Sequence, residues 1–182
     1  LYGLNPKGDI PKPVITDWED EKQTGDYLKY QNETPGSYFR ANVWWWRPLW
    51  QYISVACEDI LTEKDMERGE YNDGHRISKT KANRIASRLK IADKNGSIMK
   101  YESEYKAYLK SLPREDCNIC EGTGVREDEI GREAREKDEE YKCNGCLGEG
   151  KRDNFGTHYP FESEEVIRFA EFCKESGGFE IC

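Results

Sequence analysis

Four of the seven cysteines fall in two matching runs, Cys117-Asn-Ile-Cys120-Glu-Gly122-Thr-Gly124 and Cys143-Asn-Gly-Cys146-Leu-Gly148-Glu-Gly150. Both read C-x-x-C-x-G-x-G. Two cysteines three apart can set two thiolates along one edge of a metal ion. A second such pair completes a tetrahedral four-thiolate shell, the set that suits structural zinc. Such a shell carries a local charge near −2, which backbone N–H groups offset by bonding to sulfur. The glycines after each pair let the chain turn sharply enough to bring those groups close. The pattern predicts one structural Zn²⁺ held by Cys117, Cys120, Cys143 and Cys146. Redox-active dithiols are the alternative chemistry, and two matched pairs favour a shared ion. With all four sulfurs engaged, the ion keeps no open position for catalysis.

A second candidate is electrostatic. Residues 75–90 contain Arg76, Lys79, Lys81, Arg84, Arg88 and Lys90 with no acid, in a chain whose net charge is −8. Ser78 reads as a helix N-cap, so cations and free backbone N–H groups gather at one helix end, which favours phosphate. The competing reading is a solvated face that pairs with the chain's many acids. Gly74 to Thr80 is one residue short of a P-loop and lacks its second glycine. A ring of the Trp44-Trp45-Trp46 run, held beside Arg47, can stack on a base. The expected ligand-binding residues are therefore Arg76, Ser78, Lys79, Lys81, Arg84, Arg88, Trp45 and Trp46. His75, next to Arg76 and near Asp73, is the candidate acid or base, and a turn histidine is its plainer reading. Neither it nor His158 sits in a recognised catalytic motif. Cys57 and Cys173 lie on apolar helical faces, where thiols are inert.

At the two cysteine runs the sequence resembles the cysteine-rich module of DnaJ-type co-chaperones. That family carries four such repeats and two zinc ions. The two repeats here suffice for one ion, and the resemblance implies a zinc hairpin over about 117–151. More loosely, the segments 42–52, 71–81 and 172–182 resemble bacteriophage proteins. That likeness implies an accessory protein in an infected bacterial cytoplasm, with counteraction of host defence as one role.

These groups need elements to position them. Pro6, Pro11, Pro13 and Pro35 make 1–41 read as an irregular arm, with residues 17–21 solvated and Trp18 as its anchor. Pro48 fits a first helical turn. Leu49, Trp50, Ile53, Ala56, Cys57, Ile60 and Leu61 then share one arc, which predicts a buried helix over 47–61 entered by the three tryptophans in extended form. Thr62 to Asp65 is a capping box. Ala82, Ile85, Ala86 and Leu89 form a core face, with Ile77 and Ala82 as its staple. Ile98, Tyr101, Tyr105 and Leu109 mark another helix, stopped by Pro113. Ser163 is expected to cap a helix bearing Val166, Phe169 and Cys173, which Gly177-Gly178 stops. The 22 residues between the cysteine pairs, Glu121 to Lys142, are strongly acidic, from Glu127 through Glu139 and Glu140. They read as an exposed helical finger or a loop closed by the metal.

Composition fits this picture. Charged residues reach 35% and hydrophobic ones only 36%, so the core must be small; with 12% aromatics it is built from rings. No apolar run is long enough for a membrane span, and an acidic chain does not coat DNA through bulk charge. Residues 1–13 lack the apolar core of a secretory signal, and an odd cysteine count fits a reducing cytoplasm.

The sequence thus predicts a helix-rich α+β fold, a small aromatic core with a projecting four-cysteine zinc hairpin. Its expected parts are an arm (1–41), a helical core (42–114), a zinc-binding hairpin (115–151) and a C-terminal helix and tail packed on the core (152–182). The expected activity is non-enzymatic binding of a phosphate-bearing ligand, a nucleotide signal or nucleic acid, or of a host protein. The alternative is a small phosphohydrolase or nuclease using His75 and carboxylates. Homo-oligomerisation is left open, and no membrane is involved.

Overall fold

The structure is a computed structural model that describes residues 1–8, 10–138 and 141–182. It is helix-rich with two small antiparallel sheets, the α+β class expected. The chain divides into two compact units, 1–105 with 159–182, and 106–158.

The larger unit holds the aromatic core. Its helices are α1 (Glu21–Glu33), α2 (Val43–Ala56), α3 (Glu63–Arg68), α4 (Lys79–Lys94), the first part of α5 (Ser97–Ser111) and, after the α6 described below, α7 (Ser163–Glu175). Strands β1 (Tyr2–Gly3) and β2 (His75–Ser78) flank a central β5 (Gly178–Ile181), both antiparallel to it. Strand alternation sends Ile77, Phe179 and Ile181 inward. It sends Arg76 and Glu180, which face each other across the ladder, outward. The expected short extended tail is therefore the middle strand of a sheet.

The predicted core faces of α4 and α7 are both buried, and the two helices pack together. Phe169 lies edge-on to Trp46 at 5.8 Å, in the cluster that also contains Trp50, Ile53 and Cys173. Trp46 stacks on Trp50 at 5.2 Å. Both indoles also satisfy α3: Trp46 Nε1 donates to Gly69 O at 2.7 Å and Trp50 Nε1 to Met66 O at 3.0 Å. A Cβ at Gly69 would stand 2.0 Å from the Trp50 ring, so only glycine fits there. Burial pushes the Cys57 thiol up to about 11 and that of Cys173 well above its ordinary value.

Several elements differ from expectation. Helix α2 starts four residues early, because the Asn42 side chain accepts from Trp44 N and Trp45 N and caps it there. All three tryptophans are thus helical, and Pro48 sits inside the helix rather than in its first turn. The helix ends at Ala56, and Ile60 and Leu61 reach the core from the following turns. Residues 1–41 are not irregular throughout: Asp20 caps the 13-residue α1, and Tyr2–Gly3 joins the sheet. Trp18 is exposed and anchors nothing in the core. Ser163 is the first residue of α7, not its cap; its N–H is taken by the Glu102 carboxylate at 2.9 Å, an anion where the helix dipole favours one.

Asp65 ties α3, β2 and α4 together. The Thr62 capping box forms as expected: Asp65 N donates to Thr62 Oγ1 and Thr62 N to Asp65 Oδ2 at 2.8 Å. The same buried carboxylate bonds His75 Nε2 at 2.9 Å and pairs with Lys81 Nζ. Burial raises its pKa, but Lys81, Thr62 and His75 together outweigh that and hold the carboxyl well below the usual carboxylate range. A group so depressed contributes stability above its unfolded pKa near 4, and the contribution is lost as pH falls from there. Asp65→Asn leaves the Lys81 charge without its partner and should cost about 3 kcal/mol in urea unfolding at pH 7. The gap between wild type and variant should narrow steadily as pH is lowered from 4 to 2.

Candidate metal centre

The described residues of 106–158 build no apolar core. Among the described residues, the side chains buried in this unit are those of Cys117, Cys120, Cys143 and Cys146; the other buried positions are glycines. The exposed apolar residues include Ile119, Val125, Ile130 and Leu147.

The two cysteine runs form matching turns. Cys117 N donates to Gly150 O at 2.8 Å and Cys143 N to Gly124 O at 2.9 Å, so each run closes on the end of the other. Gly124 N donates to Cys120 Sγ at 3.2 Å and Gly150 N to Cys146 Sγ at 3.3 Å, as offsetting thiolate charge requires. Glu121 and Leu147 hold φ of 52° and 53°, and Gly122 and Gly148 follow at 86° and 87°. A Cβ on Gly124 would lie 2.4 Å from Gly148 O, and one on Gly150 2.2 Å from Gly122 O. The repeated glycines are what let the two turns touch. Strands β3 (Glu115–Asp116) and β4 (Lys151–Arg152) pair antiparallel and close the hairpin at its base.

The sulfurs fit one ion. Cys117 Sγ and Cys143 Sγ are 3.8 Å apart, Cys120 Sγ and Cys146 Sγ 3.7 Å, and all four lie within 4.8 Å of one another. A tetrahedral shell with metal–sulfur bonds of ~2.3 Å has an edge of ~3.8 Å, so the cluster matches a zinc-type module in size as well as donor set. At Cys117 burial is outweighed by the Ile119 and Cys120 backbone N–H groups, which lower its pKa, while burial and hydrogen bonds to its sulfur neighbours raise that of Cys143. A bound ion takes the place of these protons, so retention of the metal must weaken toward acid pH.

The acidic spacer carries helix α6 (Glu129–Lys137), capped by Asp128, which accepts from Gly131 N at 3.0 Å. Arg126 pairs with Asp128 at 2.6 Å, and Arg135 donates to Arg126 O. Glu139 and Glu140 lie outside the described residues.

The expected ligand residues are distributed over one strand and two helices, and most have protein partners. Arg76 Nε bonds Glu180 Oε2 at 2.6 Å, a pairing that the β2–β5 register dictates. Ser78 Oγ caps α4. Lys81 is committed to Asp65. Arg84 and Arg88 share the exposed Asp59 carboxylate at 3.6 and 2.9 Å, and Arg88 also donates to Ala56 O. Lys79 is exposed and has no ion pair among the described residues. Trp45 is half-buried. Trp46 is buried, with both its face and its N–H used in the core, so it drops out as a stacking platform. Trp44 is the outermost of the three and lies against Tyr159. His75, the candidate acid or base, has its Nε2 engaged by the Asp65 carboxylate.

Asn83 and Ser87, which the sequence reading did not single out, sit among these cations on the exposed side of α4. Their helical phase was the available signal. Comparison with family models, curated proteins and solved structures finds no match to this chain.

Cys120→Ser removes one of four ligands. Elemental analysis should find one metal ion per wild-type chain and far less in the variant. All five tryptophans precede residue 106, so the near-UV signal of the aromatic core should be unchanged.

Proposed function

We propose that the protein is a non-enzymatic binding protein. In this reading one structural Zn²⁺ folds residues 106–158, and the exposed face of α4 takes a phosphate-bearing ligand, a nucleotide signal or nucleic acid. The zinc part is supported by four buried thiols at tetrahedral spacing with backbone N–H groups donating to the sulfurs. All four positions of the shell come from the chain, so the ion's work is structural.

The ligand part is carried by one observation: α4 presents an exposed arc with no acid. The helix has six cations and one acid, Asp93. At about 100° per residue, the half-circle from Lys79 to Arg88 takes in five of those cations and excludes Asp93. Such a surface on a chain of net charge −8 concentrates positive potential where an anion can reach it. The metal unit is the less suitable place, since a four-thiolate shell and an acidic spacer repel phosphate. In this reading the protein plays an accessory role in an infected bacterial cytoplasm, with capture of a host nucleotide signal or nucleic acid as a means of counteracting defence.

The test is titration of labelled nucleotides and short oligonucleotides against wild type and Arg84→Ala/Arg88→Ala. Exposed charge contacts contribute about 0.7 kcal/mol each, so two should weaken binding about 10-fold. Binding should also fall as salt rises. Equal affinity of both proteins, or no binding across the panel, would contradict the reading.

A further inference from the structure

Helix α4 stands as a ridge between two surface grooves. One, of about 500 Å³, runs between α4 and α7 and is bordered by Lys90 and Lys174. The other, about 320 Å³, lies on the opposite flank and is bordered by Arg84 and Arg88. Both grooves are lined by Asn83 and Ser87, which therefore form the crest. Along the helix, Lys79, Asn83, Ser87, Lys90 and Lys94 are spaced four, four, three and four apart, so they fall in one stripe about 80° wide. All five are exposed, and the three lysines have no ion pair among the described residues. Acids do approach the flanks. Asp59 holds Arg84 and Arg88, while Asp93 and Glu171 border the α7 groove. None falls in the stripe.

We infer that the ligand is double-stranded DNA, with α4 lying in the major groove; this rests on the phosphate-binding reading above and narrows it. The shape is specific. A free nucleotide needs one pocket with converging donors, whereas here donors crest a convex ridge and cations sit on both sides of it. A major groove about 12 Å wide admits an α-helix, with a phosphate backbone along each edge. The 16 residues of α4 extend about 24 Å, enough to lie along such a groove. Arg84 and Arg88 meet one backbone, and Lys90, which with Lys174 of α7 borders the other groove, meets the second. Asn83 and Ser87 face the base edges, where an Asn amide suits adenine and a hydroxyl accepts or donates. Ser87 Oγ already donates to Asn83 O at 2.9 Å, which leaves its lone pairs to accept from a base. The narrow, deep major groove of A-form RNA excludes a helix, so duplex RNA should be a poor ligand.

The experiment is fluorescence anisotropy with the full chain and four probes: a random-sequence 20-bp DNA duplex, the matching RNA duplex, single-stranded DNA and ATP. Variants are Arg84→Ala/Arg88→Ala, Lys90→Ala/Lys174→Ala and Asn83→Ala/Ser87→Ala, with Lys22→Ala/Lys29→Ala on α1 as control. DNA duplex should bind at least 10-fold tighter than RNA duplex or ATP. Each cationic pair should lose about 10-fold and reduce the salt dependence, and the control should lose nothing. In sequence selection from a randomised duplex pool, the Asn83→Ala/Ser87→Ala protein should lose base preference while keeping wild-type salt dependence. Equal binding of RNA and DNA duplexes, or DNA binding untouched by either cationic pair, overturns the groove assignment. Binding of ATP alone, lost in Arg84→Ala/Arg88→Ala, overturns it and leaves the phosphate reading standing. No binding to any probe removes both.

Discussion

Four thiolates brought to one point around an ion impose order on residues 106–158, because among the described residues theirs are the side chains buried in that unit. Closing the 22-residue loop between the cysteine pairs costs about 3 kcal/mol in chain entropy. Ile119, Val125, Ile130 and Leu147 are exposed and offset none of it. A structural zinc ion contributes on the order of 10–16 kcal/mol at neutral pH. That margin also accommodates left-handed backbone at Glu121 and Leu147, a conformation that non-glycine residues avoid. The hydrogen bonds that exchange Cys117 N with Gly150 O and Cys143 N with Gly124 O then lock the two turns as a pair.

The larger unit solves the same problem with rings. A chain with so few hydrophobic residues fills its core with Trp46, Trp50, Phe169, Phe172 and Phe179, whose bulk buries much area per residue. The indole N–H groups would be costly if left unmet, and α3 supplies their acceptors. Asp65 then joins α3 to β2 and α4 through Thr62, His75 and Lys81. The consequence for function is placement. Lys81 is drawn inward to Asp65, and the other cations of α4 stay on the outward side, so burial of one face decides what the opposite face can offer.

What the sequence disclosed was local and periodic. The cysteine spacing specified the metal shell, the Thr62–Asp65 box and the Ser78 cap fixed two helix starts, and the core faces of α4 and α7 followed from their 3.6-residue period. What it concealed was set by longer-range competition. Asn42 caps α2 ahead of the tryptophans, because burying Trp46 and Trp50 in one stack outweighs the donor that Pro48 removes. Helix α1 forms within the proline-rich arm because its own 13 residues contain no proline and Asp20 caps it. Ser163 carries the side chain of a cap, yet Glu102, 61 residues away, supplies the acceptor. The basic segment was visible as a charge run. That Arg76 faces Glu180 and that Arg84 and Arg88 share Asp59 depends on strand register and on packing, which charge counting does not reveal.

The measurement that bears most directly on the four-thiolate core is amide hydrogen exchange of the metal-loaded protein before and after treatment with a high-affinity chelator under reducing conditions. The amides of Cys117, Gly124, Cys143 and Gly150 should be protected with metal and exchange as in an unfolded chain without it. Amides of α4, α7 and β5 should keep their protection throughout. Protection across 115–152 that survives complete removal of the metal would contradict the account, since it would mean that something other than the ion holds those turns together.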